Sequence, residues 1–537
     1  MVSITVSKKG LFKRIGAKAS VEKVYDALHQ IKAVLEGEEG NEVSLEITAD
    51  RPDLLSSAGV ARAVRGFLGI EKGMPKMLLQ ESPYAVRIDK SVAKVRPYIA
   101  CALVENVKLA EDSFEELIQT QEKLTLTHGR RRRKVAIGVH DASPIRFPLV
   151  YKAIPSNSPI QFVPLSKTRK MTVAQVMKEH EKGMEYGFTL AGKEHYPVIF
   201  DDYGEIISFP PIINSAKTTV TTHTTSLFID VTGTDWEACN AALNILCQDF
   251  ADDGARVYSI KTGGKATPQT EPEKISFDVE KAGKLIGLDL GAKEIADCLR
   301  KQRLGATANG KKIEALIPRY RTDFIHWVDL VEEIAIGYGY NRFEPKTPSV
   351  FTIGRLSEET MREEKLRDLM AGAGFVEQLT YVLTSAEKHS ASEVVRIKNP
   401  VSSDYNAIRS TLLPSLFATL SRNTHEPYPQ KVFEIGEVVV KDSKHANRTL
   451  SQKRLACVGA HAQANLSEIA ALALKAAKLN GEERVSFKKT EKAEFIPGRC
   501  VSLWALGKQM GIAGEVHPSV LEKMQVEVPV VAFELTV

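Results

Sequence analysis

Four carboxylates crowd one short stretch of the chain. Residues 318–341 read PRYRTDFIHWVDLVEEIAIGYGYN, and Asp323, Asp329, Glu332 and Glu333 lie in a segment otherwise patterned as a buried amphipathic helix. A strand-like run at 313–317 leads in, and Pro318 ends it. Thr322 or Asp323 is the predicted N-cap, and the helix is predicted to stop at Gly337. At about 100° per residue, Asp329, Glu332 and Glu333 fall within little more than a quarter turn. Glu332 lands on the margin of the apolar arc, between Val328 and Ile325. A carboxylate there is partly desolvated and needs a cation, an arginine or a donor. One answer is a hard divalent ion held by oxygen ligands, with Mg²⁺ the natural candidate where coordination positions stay open. The other is an acidic helix face paired with Arg319, Arg321 or a partner's basic residues.

The elements that must position such a site belong to a long chain. Its 537 residues exceed one hydrophobic core and imply roughly three to five domains. Hydrophobic content of 43% and charged content of 26% are those of a globular protein. A net charge of +5 is small for this length, so basic character matters only where it is local. The N-terminal residues lack the apolar core of a signal peptide, and no run reaches the length of a membrane span. Six cysteines (Cys101, Cys239, Cys247, Cys298, Cys457 and Cys500) show no zinc spacing and read as reduced core residues. A cytoplasmic location without membrane contact is the expectation.

Residues 1–90 read as a small α+β module in which Asp50-Arg51-Pro52-Asp53 breaks a strand and caps a helix. Capping and a local ion pair are the expected work of those charges. Residues 91–270 form a larger unit. Four consecutive arginines at 130–133 precede a strand at 135–139, a charge that either neutralises RNA phosphates or finds acidic neighbours in a solvated loop. His140 and Asp141 are adjacent on a strand and so point to opposite faces. In SLFIDVTG, Asp230 and Thr232 share a face by the period of two. Residues 271–348 hold two short helices, a hairpin around Asn309-Gly310 and the acidic helix. Residues 349–537 begin with an amphipathic helix, and strands are predicted at 377–383, 394–397 and 432–440. No internal repeat stands out.

The acidic stretch resembles the signature of the fifth structural module (B5) in the β subunit of phenylalanyl-tRNA synthetase, in its archaeal and eukaryotic form. EITADRPDLLSSAGVARAVRGFLG, IISFPPIIN, LFIDVTGTD, NPVSSDYNAIRSTLLPSLFATLSRN and EFIPGRCVSLWALGKQMGIAGEVHPSVL carry the resemblance along nearly the whole chain. The resemblance implies an α+β multidomain fold: a small N-terminal module, a B3/B4-type editing module, a B5-type module and a class II synthetase-like antiparallel sheet flanked by helices. It assigns Asp323, Asp329, Glu332 and Glu333 to Mg²⁺ shared with an α subunit. Ser208, Asp230 and Thr232 match the pocket that hydrolyses mistakenly formed Tyr-tRNA(Phe). The implied partners are the α subunit of an α₂β₂ heterotetramer and tRNA(Phe), with ATP used by the complex. The last domain is expected to be catalytically silent. It lacks the Gly-rich helix and arginine that close a class II nucleotide site, and Phe433-Glu434 lacks a neighbouring arginine. Two rivals are a stand-alone metal-assisted hydrolase using the four carboxylates and an RNA-binding scaffold using the arginine run. The acidic set has no accompanying histidine ligand, and the basic run has no interleaved aromatics.

Overall fold

Alternation of buried residues with more accessible ones in Glu42–Ile47 suits it to the centre of a small sheet covered on one face. A computed structural model describes residues 2–16, 19–389, 394–482 and 484–537, which fall into two compact units, 1–346 and 347–537. The first unit opens with β1 (Val2–Ser7), α1 (Lys8–Ile15), α2 (Val21–Gln30), β2 (Ala33–Glu39), β3 (Glu42–Ile47) and α3 (Ser57–Phe67). The strands are antiparallel in the order β1-β3-β2. Ser7, Ser20 and Ser56 each accept a backbone N–H at the start of the following helix, which satisfies donors that a helix leaves open.

The middle of this unit is a ten-stranded sheet. Its elements are β4 (Leu79–Ile88), β5 (Tyr98–Glu105), α4 (Glu111–Leu126), β6 (Val135–Asp141), β7 (Leu149–Pro155), β8 (His195–Phe200), β9 (Ile206–Phe209), β10 (Ile213–Asn214), β11 (Ser226–Gly233), α5 (Trp236–Asp252) and β12 (Arg256–Thr262). The order is β10-β9-β8-β7-β4-β12-β5-β11-β6, with Lys265–Thr267 paired to β12. Sequence grouped 79–88 with the N-terminal module, yet β4 lies deep in this sheet, parallel to β7 and β12. The two edges meet: Asn214 Nδ2 on β10 donates to the Val139 carbonyl on β6 at 3.2 Å. Curling closed removes an exposed edge. Leu227, Ile229 and Val231 of β11 pack outward with α5, while Phe228, with Asp230 and Thr232 on its face, points inward beside Cys101 and Tyr151.

The unit ends with β13 (Glu273–Asp278), α6 (Val279–Ile286), α7 (Ala292–Lys301), β14 (Gly305–Asn309), β15 (Lys312–Ile317) and α8 (Trp327–Tyr338), its strands ordered β13-β15-β14. This repeats the first module: strand, two helices, two strands, an Arg-x-Asp turn and a helix, with the third strand central in both. The internal repeat that sequence did not reveal is therefore a repeat of topology.

The second unit places α9 (Glu358–Gly372), β16 (Val376–Glu377), α10 (Leu413–Arg422), β17 (Gln430–Lys441), β18 (Thr449–Ala460), α11 (Leu466–Leu479), β19 (Val485–Lys489), β20 (Phe495–Ala505), β21 (Lys508–Val516), α12 (Pro518–Met524) and β22 (Val530–Thr536) around a seven-stranded sheet. Its order is β16-β17-β18-β22-β21-β20-β19, antiparallel except where β16 joins β17. The strand predicted at 377–383 is instead two short pieces, Val376–Glu377 and Leu383–Thr384, with Leu379 and Tyr381 between them exposed, and the one predicted at 394–397 spans Val395–Arg396. Phe433, Leu455, Cys457, Val531 and Phe533 pack with α9 and α11. Val432, Ala456, Val458, Val530 and Ala532 pack with α10 and α12 on the other face.

Two carboxylates interrupt that second face, and both are buried. Glu434 meets Arg409 Nη1 at 2.8 Å and accepts from Thr380 Oγ1 at 2.6 Å. Glu534 accepts from Leu412 N at 2.7 Å, from Thr411 Oγ1 at 2.5 Å, and pairs with Arg454 at 3.3 Å. Arg409→Met should lower stability by about 3–5 kcal/mol in denaturant unfolding, because it leaves Glu434 buried without its counter-ion. Pairing that change with Glu434→Leu should recover most of the loss.

Candidate functional site

Inside the curled sheet, Asp230 is buried and meets a histidine from the neighbouring strand. The register sets Asp230 opposite Gly138 and Phe228 opposite His140, so His140 reaches Asp230 diagonally. His140 Nε2 lies 2.7 Å from Asp230 Oδ2, and His140 Nδ1 lies 2.7 Å from Thr218 Oγ1. A neutral imidazole protonated on Nε2 satisfies both contacts, donating to the carboxylate and accepting from the hydroxyl. Gly138 is required for this pairing: a Cβ there would stand 2.2 Å from Asp230 Oδ2 and 2.8 Å from His140 Nε2. Among the described residues Asp230 Oδ1 receives no hydrogen bond. Burial pushes the Cys101 thiol and the Tyr151 phenol upward, and the Asp230 charge adds to both.

Thr232 is held separately, by Arg96, whose Nε donates to its hydroxyl at 3.0 Å and whose Nη2 donates to its carbonyl at 2.6 Å. Ser208, on β9, donates to Asn214 Oδ1 at 3.2 Å, and Asn214 in turn closes the sheet onto β6. The three residues singled out by sequence thus line one interior but touch different partners. His140, Thr218 and Arg96 were missed, because their partners lie far along the chain. A cavity of about 660 Å³ opens beside Phe147 and Ser226; none of Ser208, Asp230 and Thr232 lines it.

The arginine run forms a left-handed turn. Arg130, Arg131 and Arg132 have φ of 50°, 53° and 65°, a conformation costing about 1–2 kcal/mol per residue. Backbone N–H groups of Gly129, Arg131 and Arg132 donate to Leu124, Leu126 and Thr125, so the turn satisfies the last carbonyls of α4. The Arg132 guanidinium stands 3.8 Å from the centre of the Tyr186 ring, and those of Arg131 and Arg133 stand 5.4 and 4.9 Å from that of Phe188. Aromatic partners absent from the local sequence are supplied by the fold. Among the described residues none of Arg130, Arg131, Arg132 and Arg133 pairs with a carboxylate, whereas the next residue, Lys134, approaches Asp235 at 3.4 Å.

The acidic helix differs from its expectation. Its N-cap is His326 rather than Thr322 or Asp323, and it runs to Tyr338 before Gly339 turns the chain. Asp329 Oδ2 accepts from the N–H groups of Ile325 and His326 at 2.6 and 2.7 Å, closing a capping box. Arg321 grips Asp323 through two bonds, 2.9 Å from Nε and 2.6 Å from Nη2, and its Nη2 also reaches Glu333 at 3.0 Å. Glu332, half exposed, pairs with Lys32 of the first module at 3.1 Å, and Lys32 also holds Asp50 at 2.9 Å. The mirrored turn behaves alike, with Arg51 gripping Asp53 through two bonds of 2.8 Å. The four carboxylates therefore do not converge. A guanidinium stands between Asp323 and Glu333, and Asp329 and Glu332 have other partners. Among the described residues no three His, Cys, Asp or Glu side chains form a group able to hold a metal ion. The residues as they stand do not fit the shared magnesium that the resemblance implies, although Glu333 Oε2 is buried without a hydrogen-bond partner.

Residues 275–340 match the family described as the tRNA synthetase B5 domain, and residues 343–537 match that of the phenylalanyl tRNA synthetase beta chain CLM domain. A phenylalanine–tRNA ligase beta subunit from Pyrococcus abyssi is 38% identical over 100% of this chain and 99% of its own length. The chain belongs to the phenylalanine–tRNA ligase β-subunit family. The corresponding protein of Archaeoglobus fulgidus is also 38% identical, over 96% of this chain and 95% of its own. Among solved structures, an N-terminal fragment of the phenylalanyl-tRNA synthetase β-subunit from Pyrococcus horikoshii covers 63% of this chain and is itself wholly covered, at 38% identity and a TM-score of 0.60. A mixed α+β multidomain fold containing a B5 domain is thus common to the family and this chain.

In this family member the Arg321 network has a measurable pH signature. Burial pushes Asp323 upward, but the Arg321 charge and hydrogen bonds outweigh it and hold the carboxyl down at about 2. A lowered folded-state value stabilises above the unfolded value near 3.8, and that stabilisation is lost as pH falls from there toward 2. Asp323→Asn should therefore destabilise the protein near neutral pH and lose its effect in melts at about pH 2. Glu332→Gln, at an exposed pair, should change stability by less than about 1 kcal/mol.

Proposed function

We propose that this chain works as the β half of an α₂β₂ phenylalanine–tRNA ligase that attaches phenylalanine to tRNA(Phe) with ATP. The observation that carries this is kinship along the full chain to proteins bearing that name. In this reading the chain divides into four modules, those expected at 1–90, 91–270, 271–348 and 349–537 with 79–88 reassigned to the second, and the complex acts in the cytoplasm. The α subunit holds ATP and its magnesium. The 349–537 module is silent and presents an assembly surface, a role supported by Glu434 and Glu534 being engaged by Arg409, Arg454 and the backbone of the same module. Neither the stand-alone metallohydrolase nor the bare RNA scaffold has comparable support.

The 91–270 module removes tyrosine wrongly attached to tRNA(Phe). A pocket built for a phenyl ring rejects an added hydroxyl only weakly, so a second, hydrolytic site is needed. Asp230 suits that site: it is buried, its Oδ2 is fixed by His140, and among the described residues its Oδ1 carries no hydrogen bond. Phenylalanine offers no donor to satisfy the buried acceptor, and this asymmetry gives selectivity. Ser208 and Thr232 contribute polar groups to the same interior. Hydrolysis of the ester then requires a positioned water and donors to the developing oxyanion. Asp230→Ala in the α–β complex should accumulate Tyr-tRNA(Phe) during charging, with deacylation of that ester reduced at least tenfold. Unchanged deacylation removes Asp230 from the reading.

A further inference from the structure

The arginine turn is built beyond what ending a helix needs. Its backbone amides satisfy the last carbonyls of α4, work that glycine or asparagine does at less conformational cost. Arginine side chains at three successive left-handed positions call for a second reason, and strain of this kind gathers at functional sites. The turn is also fastened to both sides of the candidate editing interior. Arg96, which holds Thr232, donates from Nη1 to the carbonyls of Arg132 and Arg133 at 3.1 and 3.3 Å. Arg132 Nη1 donates to the carbonyls of Pro211 and Ile212 at 3.0 and 2.8 Å, just beyond the strand that carries Ser208.

Arg130, Arg131 and Arg133 remain exposed and are left without carboxylate partners among the described residues. The Phe188 ring beneath Arg131 and Arg133 limits their rotamers without neutralising their charge. Pre-organised, uncompensated guanidiniums match the oxygens of a phosphodiester, which they can bind through paired hydrogen bonds. We propose that Arg130, Arg131 and Arg133 bind backbone phosphates at the single-stranded 3′ end of a tRNA, seating that end over the interior that contains Asp230 and Thr232. The choice of the 3′ end rests on the editing reading, because the ester to be hydrolysed lies there. Phosphate binding itself does not.

The test uses the complete α–β complex, with R130A/R131A/R133A compared to wild type. Equilibrium binding of an uncharged acceptor-stem minihelix carrying its single-stranded 3′ end is measured across salt concentrations. Three lost phosphate contacts should flatten the slope of log affinity against log salt by about 2. KM for Tyr-tRNA(Phe) hydrolysis should rise about tenfold or more while kcat stays within about twofold. Arg130→Glu, whose side chain touches neither ring, is the independent check should the triple variant fold poorly. It should weaken binding at low salt and converge with wild type at high salt. Equal slopes for wild type and triple variant, or wild-type affinity for Arg130→Glu at low salt, would overturn the proposal. Absence of Tyr-tRNA(Phe) hydrolysis by the wild-type complex would instead remove the editing reading and leave the minihelix slopes to decide phosphate binding.

Discussion

A carboxylate inside a closed sheet has to be given a partner, since taking such an ion out of water costs several kcal/mol even after the surroundings relax. Asp230 imposes that requirement on the middle of the chain. Its partner His140 comes from β6, and Gly138 on the same strand must lack a side chain for the two to meet. Thr218 then fixes the far side of the imidazole, and Arg96 fixes Thr232 two residues along from Asp230. The closure of β10 onto β6 through Asn214 keeps this polar group inside the protein. The site therefore follows from the sheet's topology as much as from its residues.

The same problem is solved with guanidinium elsewhere. Arg51 holds Asp53, Arg321 holds Asp323 and Glu333, Arg62 reaches both Asp249 and Asp252, and Arg409 holds Glu434. The balance between burial and partner differs from site to site. Burial raises Asp249 to about 7 against the pull of Arg62 and Ser56, with Asp252 adding its own negative charge, whereas the two-bond grip of Arg321 outweighs burial and holds Asp323 down at about 2. Such pairs contribute little net stability when intact, but breaking one is costly, so they favour a single arrangement of neighbouring elements. This leaves Asp323, ahead of the acidic helix, and Glu333, within it, facing an internal cation.

Much of the architecture was legible. The periods of two and 3.6 located the strands at 135–139, 226–233 and 313–317 and the helix that carries Glu332 and Glu333, and the buried cysteines behave as core residues. What escaped depends on contacts between distant parts of the chain. His140 and Asp230 are 90 residues apart, and nothing in either local sequence announces the other. Lys32 meets Glu332 only because the two βααββα modules pack together. That repeat was invisible because it is preserved in strand order and in two Arg-x-Asp turns, while most other residues differ. The start of α8 was misplaced because histidine is an uncommon cap, and Asp329 rather than Asp323 completes the box. Within 377–383, predicted as one strand, Leu379 and Tyr381 lie exposed.

The central claim is that Asp230, held by His140, reads the hydroxyl that distinguishes tyrosine from phenylalanine. The most direct measurement is single-turnover hydrolysis of Tyr-tRNA(Phe) and Phe-tRNA(Phe) by the α–β complex, wild type beside His140→Gln. The account predicts that wild type hydrolyses the tyrosyl ester far faster than the phenylalanyl ester, and that the variant loses most of that ratio. A His140→Gln complex that retains the wild-type ratio would contradict it.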